Sequence, residues 1–142
     1  MPRILVVILT AALGLTAGCG KKSIESLVQE REAIYAELTT ALEEVKDDAS
    51  AEKALPNIER MVEKHNKNRD AITVASRSIS DQDRSATGKY AKQAEEDGPK
   101  MLEIVTKMGN AFDKAIRLAP KHGQRLHQLM LSMASNQQGG RG

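Results

Sequence analysis

The sequence predicts an all-α fold, an elongated up-down-up bundle of three helices. Three observations lead there. Apolar residues recur at spacings of three and four almost throughout the chain. Alanine, leucine, glutamate and lysine, all good helix formers, are abundant. Aromatic residues are only 2% of the 142 residues, as Tyr35, Tyr90 and Phe112. A sheet would draw more heavily on aromatic and β-branched side chains.

The first segment carries Ile24, Leu27, Ile34, Leu38, Ala41 and Val45 on one stripe, with Val28 and Leu42 beside it. Arg31 holds the one charged position on that stripe, where its stem can cover the core while its head reaches water. A helix over 23–46 is expected, then a turn over 47–50. The second stripe is Ala51, Leu55, Ile58, Val62, His65, Arg69, Ile72 and Ile79, flanked by Ala54, Met61 and Ala75. Ser50 is its expected N-cap. Pro56 implies a start near Leu55 or a kinked first turn, because proline deeper in a helix costs about 3 kcal/mol. The helix is expected to end near Arg77.

The third segment opens on Ser80-Asp81-Gln82-Asp83, a pattern similar to a capping box. Its stripe runs through Thr87, Ala91, Ala94, Gly98, Met101, Val105, Met108, Phe112, Ala115 and Ala119. The phase survives Gly98-Pro99, so a kink over 95–99 is expected there rather than a hairpin. Pro120 breaks the pattern again and 122–125 reads as a loop. Leu126, Leu129, Met130 and Met133 then suggest a short C-terminal helix. Residues 135–142 contain nothing apolar and are expected to be a disordered tail. The helical domain is thus expected over 23–134. Short turns between long helices favour antiparallel neighbours.

Charge is unevenly spread. Residues 21–48 carry 4 basic and 8 acidic side chains, whereas 98–142 carry 7 basic and 2 acidic. Exposed pairs contribute only about 0–1 kcal/mol each, so this asymmetry tunes packing without driving it.

No arrangement in the sequence points to catalysis, and the chain is expected not to be an enzyme. There is no glycine-rich phosphate loop and no nucleophile elbow. His122 and His127 are five apart, about 140° around a helix, which is wrong for a shared metal. His65 lies on an apolar stripe one turn after Met61 and reads as a packed histidine. Met101 and Met108 sit on the core stripe and read as gap-filling, leaving Met130 and Met133 as the adaptable pair. No catalytic residue, metal ligand or cofactor is expected, and nucleic-acid binding is disfavoured by the lack of aromatics beside the basic residues.

The first residues carry the strongest functional signal. Met1-Pro2-Arg3 supplies one positive charge, and 4–15 is apolar except for Thr10 and Gly14. That run of about 12 residues falls short of the roughly 20 needed to span a bilayer. Leu15-Thr16-Ala17-Gly18-Cys19 follows, with the only cysteine of the chain. Ala17, Gly18 and Cys19 resemble the lipobox of bacterial lipoprotein signal peptides. Thr16 departs from the pattern, which favours leucine at that place. The resemblance implies cleavage after residue 18, with Cys19 as lipid attachment site and 19–22 as the anchored N-terminus. Gly20 takes the place where, in the enteric sorting pattern, an aspartate retains lipoproteins in the inner membrane. The resemblance therefore implies the periplasmic face of the outer membrane, in a source with two membranes. A lipid anchor followed by heptad-like helix is also shared with the murein-lipoprotein type. The end Gly-Gly-Arg-Gly lacks that type's terminal lysine, so its function is not carried over.

Together these readings give a non-enzymatic, lipid-anchored envelope protein, structural or protein-binding. Its expected partners are the membrane, through acylated Cys19, and an envelope protein. Self-association is open, since Arg31, His65 and Arg69 could face a second bundle. The alternative is a small-ligand or metal carrier using Met61, His65 or the His122/His127 region.

Overall fold

The computed structural model describes residues 22–82 and 84–134, without the side chains of 79–82, 84–91, 93 and 94. The described chain is all-helical, with no strand. Four helices follow one another: α1 (Ile24–Glu43), α2 (Asp48–Gln82), α3 (Arg84–Leu118) and α4 (Gly123–Ala134). α1 packs against α2 and α3, and α4 packs against the same two helices.

α1 starts where its sequence supplies a cap. The Ser23 hydroxyl accepts from the Ser26 N–H at 3.2 Å, and Glu25 lies in the first turn. Its buried face is Leu27, Ile34, Tyr35, Leu38, Thr39, Ala41 and Leu42. The helix ends at Glu43, three residues before the expected 46. The cause lies in the next helix: Ser50 Oγ accepts from the N–H groups of Lys46 and Asp47, at 2.8 and 2.9 Å. Those two donors are thereby withdrawn from α1. Val45, past the helix end, still reaches the core at 1% exposure.

Asp47, and not Ser50, caps α2. The Asp47 carboxylate accepts from the Ser50 N–H at 2.8 Å while Ser50 Oγ reaches back to the Asp47 N–H. This reciprocal pair satisfies donors at both ends of the first turn, as a capping box does. The helix therefore starts at Asp48, with Pro56 inside it. It also runs past Arg77 to Gln82, so Ser80 lies within the helix rather than at the start of the next. No glycine or proline lies between Pro56 and Gln82, and serine or aspartate costs only a few tenths of a kcal/mol in a helix. Asp83 lies outside the described residues.

α3 is helical through Gly98 and Pro99. Its buried positions are Met108, Ala111, Phe112 and Ala115, with Met101 and Ile104 packed against the core. The expected stripe loses Gly98 and Val105, both of which are exposed. A seam with a period of 3.5 drifts about 20° per heptad around a helix of period 3.6. Two heptads before Phe112, the core face has therefore moved off Gly98.

Pro120 ends α3 as expected, but the connection occupies 119–122 rather than 122–125. The Ala119 and His122 N–H groups bond back to Ala115 and Ala119, and α4 begins at Gly123. The Lys121 N–H donates to Asp48 Oδ1 at 2.9 Å, fixing this turn to the start of α2. Burial of Leu126 and Leu129 then holds α4 down; each such side chain contributes about 1.5–3 kcal/mol. The core gathers Phe112, Leu38, Leu42, Ile58, Met61, Leu126 and Val45 as its largest fully buried side chains. The disordered tail expected at 135–142 and the leader at 1–18 lie outside the described residues.

Candidate functional site

Cys19, the expected lipid-attachment residue, also lies outside the described residues. The described chain begins at Lys22, whose ammonium pairs with Glu30 at 2.8 Å, and enters α1 through the Ser23 cap. No helix among the described residues is long and apolar enough to cross a membrane.

The most constrained polar group is a layer between α1 and α2. Tyr35 Oη and His65 Nε2 are 3.0 Å apart, and the two rings stack with centroids 5.2 Å apart. His65 is 3% exposed and Tyr35 7%. Asn66 Oδ1 lies 3.3 Å from His65 Nδ1. An oxygen there places the proton on Nδ1, so Nε2 accepts from the tyrosine hydroxyl. One turn along, Asn68 donates to the Leu27 carbonyl at 2.8 Å and accepts from Arg31 Nε at 3.4 Å. Arg69 reaches the Met133 carbonyl near the end of α4 at 3.4 Å. Thr39 closes the layer by donating to the Tyr35 carbonyl.

Electrostatics in this layer favour neutral partners. Burial pushes the His65 imidazolium below its ordinary value of 6.5, and the Arg31 and Arg69 charges act in the same direction against the Asn66 bond. Burial likewise raises the Tyr35 hydroxyl, partly offset by the same two arginines. A neutral imidazole and a neutral phenol between two guanidinium groups form a structural joint. Both His65 nitrogens are engaged, so the ring offers no lone pair to a metal. Among the described residues, no three His, Cys, Asp or Glu side chains are grouped to hold one. His122 is half-buried in the turn before α4 and His127 is exposed on it.

The adaptable methionines are half-buried: Met130 and Met133 both pack on the core from α4. Arg31 and Arg69 are half-buried, and each bonds inside the chain. Sequence reading missed Tyr35, Thr39 and Asn68. The available signal was the polar run at stripe spacing on both helices: Arg31 and Tyr35 four apart, His65, Asn68 and Arg69 three and four apart.

A second feature lies where the chain enters α1. Between the first turns of α1, Ser76 of α2 and residues 97–101 of α3 is a hollow of about 680 Å³. Its apolar walls are Ile24, Val28 and Met101. The Lys100 ammonium crosses its edge to Glu32 at 2.8 Å, and that pairing, with Asp97 nearby, raises the lysine above its ordinary range. Searches against protein-family models, curated proteins and solved structures find no match to this chain.

Proposed function

We propose that this is a non-enzymatic, lipid-anchored helical protein of the bacterial cell envelope, serving as a structural or protein-binding module. The observation that carries the reading is the lone Cys19 after Leu15-Thr16-Ala17-Gly18, placed four residues before the Ser23 cap of α1. At about 3.3–3.6 Å per residue, that spacer reaches at most roughly 14 Å. A lipid on Cys19 would thus hold the bundle close to the membrane by the N-terminal end of α1. Two or more acyl chains are needed for a stable hold, at about 0.8 kcal/mol per buried methylene.

The up-down-up arrangement, kinked near Gly98-Pro99, belongs to this proposal. It is supported by pairings along the helices: Tyr35 with His65, Glu32 with Lys100, and Asp48 with the Lys121 N–H. The arrangement extends the domain away from the N-terminal end of α1, and the turn where the Lys121 N–H meets Asp48 lies at the opposite end. In this reading the envelope partner meets the bundle away from the anchor.

The test is cross-linking in intact cells followed by affinity purification and mass spectrometry, with Cys19→Ser as the mislocalised control. One dominant envelope partner, lost in the control, is expected. An unmodified Cys19 in the purified protein would remove the anchor from the reading. Recovery of no partner, under conditions that capture known ones, would remove the binding role.

A further inference from the structure

The hollow beside α1 exists because small residues face large ones. Ile24 and Val28 project from the first two turns of α1, but α2 answers with Ser76 and α3 with Gly98. A Cβ on Gly98 would meet nothing within 4 Å. Ile24, Val28 and Met101 are left half-buried around the space. Its volume of about 680 Å³ lies within the roughly 300–1,000 Å³ typical of small-ligand sites. The exposed lining is more apolar than polar, and Glu25, Gln29, Glu32, Asp97 and Lys100 share it with Ile24, Val28 and Met101.

We infer that this hollow shelters one acyl chain of the lipid on Cys19, an inference that rests on the lipoprotein reading above. The chain outside the described residues determines the occupant. Cys19 precedes Ile24 by five residues, at most about 17 Å of extended backbone. An acyl chain of a diacylglyceryl group, whose glycerol is thioether-linked to the Cys19 sulfur, starts within reach of the hollow. It is slim, unbranched and apolar, and it would cover Ile24, Val28 and Met101 without displacing any core side chain. A bilayer competes for the same chain, so the protein divides between a sheltered state and a fully inserted one. Sheltering one chain of a two-chain lipid weakens the membrane hold, since a single remaining chain is marginal.

The test uses the full-length chain, expressed where lipoproteins are processed and purified in detergent. Intact mass first reports whether Cys19 is the acylated N-terminus. The chain has no tryptophan, so Ser76→Trp places a single fluorophore at the hollow. After detergent removal, the acylated protein should show blue-shifted emission and protection from acrylamide. Cys19→Ser in the same background should lose both. A second variant, Gly98→Phe, fills the hollow from a position with no close neighbours. It should tighten binding of the acylated protein to phosphatidylcholine–phosphatidylglycerol vesicles by about tenfold, which corresponds to about 1.4 kcal/mol. Acylated protein with an exposed tryptophan and vesicle binding unchanged by Gly98→Phe overturns the sheltering and leaves the lipoprotein reading intact. A mass showing an unmodified Cys19, or retention of residues 1–18, overturns both.

Discussion

Replacing Tyr35 by phenylalanine removes one oxygen from a sealed interface, and the structure sets the consequence. The hydroxyl lies 3.0 Å from His65 Nε2, and His65 is 3% exposed. Tyr35→Phe leaves that nitrogen buried without a partner, which costs about 1–3 kcal/mol. His65→Phe strands the tyrosine hydroxyl in the same way. The double variant replaces both partners by apolar rings of similar shape, and such exchanges are close to neutral. The two single costs should therefore fail to add. The pH dependence carries the sign. His65 has a folded-state pKa below its ordinary 6.5, so between those values the unfolded chain binds more protons than the folded one. Stability is complete above about pH 6.5 and falls as pH drops through the folded value, at up to about 1.4 kcal/mol per pH unit. Urea unfolding of Cys19→Ser protein at pH 7.5 and 5.5 measures both effects. Subtracting the His65→Phe profile isolates the contribution of His65. Additive single costs, or a pH profile identical with and without His65, would refute the reasoning.

Three further outcomes follow from the helices. Phe112 is fully buried among core residues from every helix, so Phe112→Ala should cost about 3–5 kcal/mol; a loss under about 1 kcal/mol in urea unfolding would contradict its central place. Gly109 is inside α3 with nothing within 4 Å of a Cβ, so Gly109→Ala should stabilise by about 0.5–1 kcal/mol, and thermal melts that show no gain would count against a continuous α3 there. The Asp47 carboxyl is held below its ordinary 3.8, first by the Ser50 N–H and then by the Ser50 hydroxyl; its contribution is present above that value and lost as pH falls through the folded one, so Asp47→Ala should destabilise at pH 6 and flatten the acid limb of the profile, which a melt series from pH 6 to 2 would check.

The apolar faces were legible because burial follows a helical period. Leu38, Leu42, Ile58, Met61, Met108, Phe112 and Leu126 are where the stripes place them or beside them. Helix ends were less legible because they are decided by competition for a few N–H groups. Ser50 looked like a cap, yet Asp47 holds that role while Ser50 returns the bond. Ser80 looked like a start, yet nothing around it is unfavourable enough to stop α2. The exposed face of α3 at Gly98 and Val105 follows from a drift in phase that no single residue signals. The lipobox-like run before Cys19 is a pattern of neighbouring residues alone, and the fold of the described residues bears no mark of it. The hollow was not legible, because it depends on Ser76 and Gly98 meeting Ile24 across three helices.

The polar layer has a role that the apolar core cannot fill. Sliding α1 by one turn along α2 exchanges one apolar contact for another, since Leu27, Ile34, Leu38 and Ala41 recur at helical spacing along its buried face. Hydrophobic burial therefore distinguishes the two registers weakly. The same slide separates Tyr35 from His65 and Asn68 from the Leu27 carbonyl. It strands at least three buried polar groups, at about 1–3 kcal/mol each. It also brings Arg31 toward His65, whose ring already lies between two cationic side chains. A register penalty of that size is comparable to the whole stability of an ordinary domain, about 5–15 kcal/mol. A chain with few aromatic residues, and with its one cysteine at position 19, has little else to fix how its first helix lies on its second. If that helix ties the domain to a lipid at Cys19, the same layer fixes the direction in which the rest of the bundle points away from the membrane.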